Sequence, residues 1–170
     1  MITAHFTHNT IISNTQEALA LYEKSRWGEK KRGLVEYSLI EALSLVQDNK
    51  MQILSNSKPL TETNLLKKAR KLDKRISIKL PVFQDLRKRG YIVKTALKFG
   101  AEFRVYDKGI KPGQDHAAWL LFPVKENEVL TWYDFAAKNR VATSTKKKLL
   151  LGIVDDESDV TYYQVEWFRP

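Results

Sequence analysis

Histidine is scarce and cysteine absent in this sequence, so the residues most often used for proton transfer or metal binding can each be weighed on spacing. There are three histidines, His5, His8 and His116, and no cysteine. None of the histidines has the spacing of a zinc site, and without thiols there is neither a disulfide framework nor a thiolate ligand. His116 lies between a polar, glycine-containing loop and an apolar run. By type alone it is a hydrogen-bonded surface residue, and His5 and His8 are read the same way. Two charged clusters offer more. Lys146, Lys147 and Lys148 are consecutive, a run that by default is solvated or touches phosphate. Asp155, Asp156, Glu157 and Asp159 crowd into one short stretch. Such a stretch is usually a solvated hairpin turn, although clustered carboxylates also bind Mg²⁺ in many nucleases. Tyr106 ends a β-forming segment and, taken alone, is a packing residue with its hydroxyl in water. The segment KFGAEF has one glycine and lacks the pattern of a phosphate-cradling loop.

Net charge narrows the partners. Lys and Arg total 29 against 20 Asp and Glu, a net charge of +9 over 170 residues. That excess attracts polyanions, of which nucleic acid is the common case in a chain without an anchor. No window approaches the roughly 18 consecutive apolar residues of a membrane helix, and the first residues carry no targeting pattern. The chain therefore reads as soluble and cytoplasmic, with no membrane partner and no cofactor.

The elements that must position these side chains follow from periodicity. Ile2 to Ile12 reads as short strands around a turn at Asn9. Ser13 and Gln16 have capping-box spacing for a helix through Tyr22, and Ser38 and Glu41 have it for a second, with Leu39, Leu43 and Val46 on one face. Gly28 and Gly33 bracket a basic loop. Met51 to Leu54 reads as a strand. From Thr61, the stripe Leu65, Ala69, Leu72 and Ile76 predicts an amphipathic helix with lysines and arginines around the rest of its surface. Pro81 suits the first turn of a further helix that Gly90 closes. The second half changes character: strands over Tyr91–Thr95, Ala101–Tyr106 and 117–124, a helix capped by Thr131 and Asp134, a buried strand over Leu149–Val154, and a last strand through Trp167. This order predicts an α/β (α+β) chain: a small N-terminal α/β domain, residues 1–75, and a C-terminal mixed-sheet domain, residues 76–170.

The stretches RGYIVKTALKFGAEFRVYDKG, from Arg89, and ATSTKKKLLLGIVDDESDVTYY, from Ala142, resemble the signature of the archaeal tRNA-splicing endonucleases. The resemblance spans the C-terminal half and implies a nuclease domain there. It implies a catalytic Tyr, His and Lys at Tyr106, His116 and Lys147. Lys146 stands where the family commonly has Arg, and a one-residue shift would exchange Lys147 for Lys148. Alternation along a strand puts those two on opposite faces, so only one enters the site. The residue types suit RNA, which carries its own nucleophile in the 2′-OH. A base takes that proton, an acid protonates the leaving 5′-oxygen and a cation meets the phosphorane charge. The resemblance assigns these roles to Tyr106, His116 and Lys147, giving a 2′,3′-cyclic phosphate and a 5′-hydroxyl without a metal.

The resemblance further implies that Arg140 clamps a bulged base by stacking; an ordinary surface Arg near a helix end is the equal alternative. A second clamp residue is open among Tyr162, Trp167 and Arg169. For Asp155, Asp156, Glu157 and Asp159 it implies a loop that plugs a basic groove on a neighbouring copy. The expected substrate is the bulge–helix–bulge element of precursor tRNA, and the expected assembly is a homotetramer. Two other readings stay open: a metal-dependent nuclease using the acidic cluster, and a catalytic or structural subunit of a mixed complex.

Overall fold

The computed structural model describes residues 1–7, 10–168 and 170. They form two units, Met1–Ser77 and Ile78–Pro170, each built on its own sheet. The fold is mixed α/β throughout, with a six-stranded sheet in the first unit and a five-stranded mixed sheet in the second.

In the first unit, alternating burial along β1 (Ile2–Thr7) sends Ile2 and Ala4 into the core. This strand pairs antiparallel with β2 (Thr10–Ser13) and parallel with β5 (Met51–Ser55). The turn expected at Asn9 lies outside the described residues. Ser13 does not cap the first helix. Its hydroxyl ties β2 to β1 by donating to the Thr3 carbonyl at 2.6 Å. Thr15 is the cap instead, accepting from the Ala18 N–H ahead of α1 (Gln16–Ser25). Extended backbone at the end of the strand thus delays the helix. The basic stretch between Gly28 and Gly33 is not a plain loop but the hairpin of β3 (Glu29–Lys31) and β4 (Leu34–Tyr37), closed where Arg32 and Gly33 both take positive φ.

The second capping box forms as expected: Ser38 accepts from Glu41 N–H and the Glu41 carboxylate accepts from Ser38 N–H, opening α2 (Leu39–Gln47). A two-residue strand, β6 (Lys58–Pro59), completes the sheet. Thr61 caps α3 (Glu62–Leu72), where Leu65 and Ala69 are fully buried but Leu72 is largely exposed. The expected stripe breaks there because Ile76 already belongs to the next helix.

That helix, α4 (Ile76–Lys88), holds Pro81 in its interior rather than its first turn. Gly90 ends it in left-handed conformation, with the Tyr91 N–H bonded back to Leu86. The second sheet runs β7 (Ile92–Thr95), β8 (Phe103–Tyr106), β9 (Trp119–Lys125), β10 (Lys148–Val154) and, at the other edge, β11 (Val160–Val165). Neighbours pair antiparallel except β9 and β10, which are parallel and joined through α5 (Trp132–Ser144).

The two faces of this sheet are covered differently. On one, Phe83 of α4 packs on Phe103, and Val82 fills the space left by Gly152, where a Cβ would sit 3.0 Å from it. On the other, Ala142, Phe135 and Val141 of α5 pack over Leu120, Phe122, Leu149 and Leu151. Strand alternation assigns the side chains of β8 to one or other of these faces.

Candidate active site

Arg104, Tyr106, Leu120 and Leu149 share the α5 face of the second sheet, since Arg104 pairs with Leu120 and Leu120 with Leu149. Tyr106 ends β8, where its ring packs with Ile92 and Ala117 beside Ile110. It is 4 % exposed, so it can act only on a group admitted to its cavity.

The loop of residues 107–118 then leaves the sheet and returns. It is held by its own bonds: Ile110 N–H to the Asp107 carbonyl, Gln114 N–H to Lys111, and Lys111 N–H to the Gln114 side chain. The loop rejoins β8 where Ala118 N–H meets the Val105 carbonyl at 2.9 Å. This return brings His116 back beside the residue at which the strand ended. The Asp115 carboxylate accepts from the His116 backbone N–H at 2.6 Å, fixing the main chain while the exposed imidazole stays available.

Lys147 reaches the same place from α5. The helix ends at Ser144 with Thr145 as its C-cap, Lys146 takes positive φ, and the Lys147 N–H bonds back to the Ala142 carbonyl at 2.9 Å. That left-handed ending turns the chain straight into β10. The Lys147 ammonium donates to the Thr145 carbonyl at 2.9 Å. A cavity of about 330 Å³ is lined by Tyr106, His116 and Lys147 with Arg104, Ala117 and the loop residues 113–115.

Lys148 projects from the opposite face. It starts β10 opposite Trp119 and its ammonium is 2.8 Å from Glu166. Among the lysines of that run, Lys147 alone lines the cavity.

Arg104 was not singled out by the sequence reading. Its guanidinium carbon lies 5.9 Å from the centre of the Tyr106 ring. Its Nε is buried without a hydrogen-bond partner. Leaving such a donor unpaired costs about 1–3 kcal/mol. The signal available in the sequence was a cation two positions before Tyr106, and therefore on its face.

Arg140 lies outside this cavity. It lines a wider groove of about 800 Å³ with Phe135, Asn139, Thr143 and Trp167. Of the three candidates to stand opposite Arg140, Trp167 shares its groove. Tyr162 is committed elsewhere: its hydroxyl donates to Asp85 at 2.8 Å, and Asp85 also accepts from Arg89 at 2.8 Å. Burial, reinforced by the bond to Asp85, pushes the Tyr162 phenol far above its ordinary range, so it stays neutral. Arg169 lies outside the described residues.

The acidic turn is less free than its composition suggests. One Asp155 carboxylate oxygen accepts from the backbone N–H groups of Glu157 and Asp159, at 2.9 and 2.8 Å, and shapes the turn. Asp156 pairs with Lys125 at 3.1 Å. Glu157 and Asp159 are exposed. Among the described residues no three histidines or carboxylates cluster to hold a metal ion. No described helix is long and apolar enough to cross a membrane.

Residues 76–162 match the family described as tRNA intron endonuclease, catalytic C-terminal domain. Over whole chains the sequence is similar to proteins named tRNA-splicing endonuclease. The one from Thermococcus gammatolerans is 38 % identical over 170 residues, covering 99 % of each chain. That from Nanoarchaeum equitans is 43 % identical over 141 residues, 79 % of this chain and 90 % of its own. That from Methanothermobacter thermautotrophicus is 38 % identical over 159 residues, 94 % of this chain and 92 % of its own.

Proposed function

The chain belongs to the tRNA-splicing endonuclease family, an enzyme of the tRNA-intron lyase type, and from that premise we propose that it cuts precursor tRNA at bulge–helix–bulge elements by metal-independent attack of the RNA's own 2′-OH. The observation that carries this reading is the convergence of Tyr106, His116 and Lys147, from three separate segments, on one cavity.

The step balances without an added reactant. Tyr106, as phenolate, takes the 2′-OH proton. The 2′-oxygen forms a bond to phosphorus, the bond from phosphorus to the 5′-oxygen breaks, and His116 as imidazolium protonates that oxygen. Lys147 offsets the extra negative charge of the phosphorane. A 2′,3′-cyclic phosphate and a 5′-hydroxyl result. Arg140 and Trp167 stack on a bulge base in their shared groove, a flat cation facing an indole.

Two cuts on one substrate suit a two-fold assembly, and the proposed assembly is a homotetramer. β11 is an edge strand and is followed by the exposed Phe168, which supports pairing between copies along this edge. The acidic turn then docks on cations of another pair. Because Asp155 shapes the turn itself, the informative variant neutralises Asp156, Glu157 and Asp159 together. Light scattering should show dimers in place of tetramers.

The cleavage reading is tested with a precursor carrying a 2′-deoxy sugar at the cut site, and with the natural precursor in excess chelator. The deoxy substrate should bind and resist cleavage, and the natural one should be cut in chelator. Efficient cutting of the deoxy substrate, or complete loss of activity in chelator, would establish a metal-activated water instead.

A further inference from the structure

Arg104 is the one cavity cation whose charge nothing else in the described structure answers. Its Nε is buried without a hydrogen bond, and among the described residues no carboxylate forms an ion pair with its guanidinium. The residue directly across the ladder on β7 is another cation, the buried Lys94. A guanidinium left without a partner beside a proposed phosphate-cleaving cavity is arranged for an anion from outside. The neighbours on the strand sharpen this. Arg104 and Tyr106 project from the same face of β8, with the guanidinium 5.9 Å from the Tyr106 ring centre. The flat cation therefore lies against the phenol that faces the cavity and lines that cavity itself.

We infer that Arg104 is a phosphoryl-oxygen site: its guanidinium takes a non-bridging oxygen of the scissile phosphate and binds it most strongly as the phosphorane forms. This rests on reading the cavity as the cleavage centre. A guanidinium suits the task better than an ammonium because its fork of donors is planar and matches two oxygens on one phosphorus. Lys147 is a point charge that already gives one hydrogen to the Thr145 carbonyl. The two cations therefore divide the work. Lys147 supplies charge at the mouth of β10, while Arg104 fixes the orientation of the phosphoryl group from the floor of the sheet.

The test uses the full chain and a bulge–helix–bulge precursor under single-turnover, saturating conditions. Arg104→Met keeps the length of the side chain and removes charge and donors; Arg104→Lys keeps the charge and loses the fork. Arg104→Met should slow cleavage roughly 10²- to 10³-fold, the usual loss for one transition-state donor. RNA affinity should move less than a few-fold, and Arg104→Lys should recover only part of the rate. The decisive readout is a substrate with sulfur replacing one non-bridging oxygen of the scissile phosphate, each diastereomer separately. The wild-type chain should be slowed by one diastereomer more than the other, and Arg104→Met should lose that selectivity. A slow variant that keeps the full selectivity would make Arg104 only a support for the Tyr106 ring, and an unchanged rate would remove it from the site; either overturns the inference. Should Arg104→Met fail to fold, the selectivity of Arg104→Lys decides between the same outcomes. If the wild-type chain itself cuts the 2′-deoxy substrate, the cleavage reading has failed and not this inference alone.

Discussion

Two polar clusters in the second unit draw on nearly the same side chains and use them in opposite ways. On the α4 face, Tyr162, Asp85 and Arg89 close on one another: the phenol donates to the carboxylate and the guanidinium completes it, both at 2.8 Å. On the α5 face, Tyr106 and Arg104 lie side by side with no carboxylate between them, and the His116 imidazole is exposed. A tyrosine and an arginine bridged by an aspartate fasten a helix to an edge strand. The same pair without the aspartate leaves donors and charge unspent in a cavity. Buried polar groups are almost always satisfied, so a cluster left open in a well-packed sheet is set aside for a ligand.

The sharpest way to break this contrast is to remove one hydroxyl from each cluster. Tyr106→Phe keeps the ring against Ile92 and Ala117, so its thermal midpoint should stay close to that of the wild type. Its single-turnover cleavage should fall roughly 10²- to 10⁴-fold, the range for loss of a general base. A near-normal rate with a lowered midpoint would reverse the roles assigned to the clusters.

Adjacent lysines sharpen the contrast next. Lys147 lines the cavity and Lys148 pairs with Glu166 on the other face. Lys147→Ala should slow cleavage by about 10²- to 10³-fold. Lys148→Ala should change it only a few-fold, since an exposed ion pair contributes little. Equal losses measured in parallel would mean that the lysine run acts as diffuse charge.

Tyr162→Phe should show the smallest effect and the opposite pattern. Losing the bond to Asp85 should cost about 1–2 kcal/mol, seen as a thermal midpoint lower by a few degrees, with cleavage unchanged. The pH dependence follows from the raised phenol. Its folded form holds the proton above the ordinary value near 10, so its contribution is complete below about pH 10 and is lost as the pH climbs further. Thermal melts across alkaline pH should therefore fall less steeply for Tyr162→Phe than for the wild type.

How much of this was legible in the residues depended on the range of the forces involved. Local signals read well: the Ser38–Glu41 box, the helix start near Thr61, the Thr131 cap and the strand runs of the second sheet formed, the last strand stopping at Val165 rather than Trp167. Signals that compete with tertiary pairing read poorly. Ser13 had capping spacing, but a strand neighbour took its hydroxyl. Pro81 suited a first turn, yet Ile76 and Leu80 are buried and the helix begins a turn and more earlier. That Tyr106, His116 and Lys147 belong together was legible only through the family resemblance, and the fold brings the three to one cavity. Arg104 was not legible, because its significance lies in the absence of a partner, and spacing carries no trace of that. The acidic turn stood between the two: its charge was obvious, while the use of Asp155 as a backbone acceptor needed the folded turn.

The most direct test of the cavity as a proton-transfer site is His116→Ala on two matched precursors. One has the natural 5′-oxygen leaving group and the other a 5′-sulfur, which departs without protonation. On the oxygen substrate the variant should be roughly 10²- to 10⁴-fold slower than the wild type, with RNA binding little changed. On the sulfur substrate its rate should return close to the wild-type value. An equal slowing on both substrates would contradict the assignment, because His116 would then be doing something other than delivering the proton.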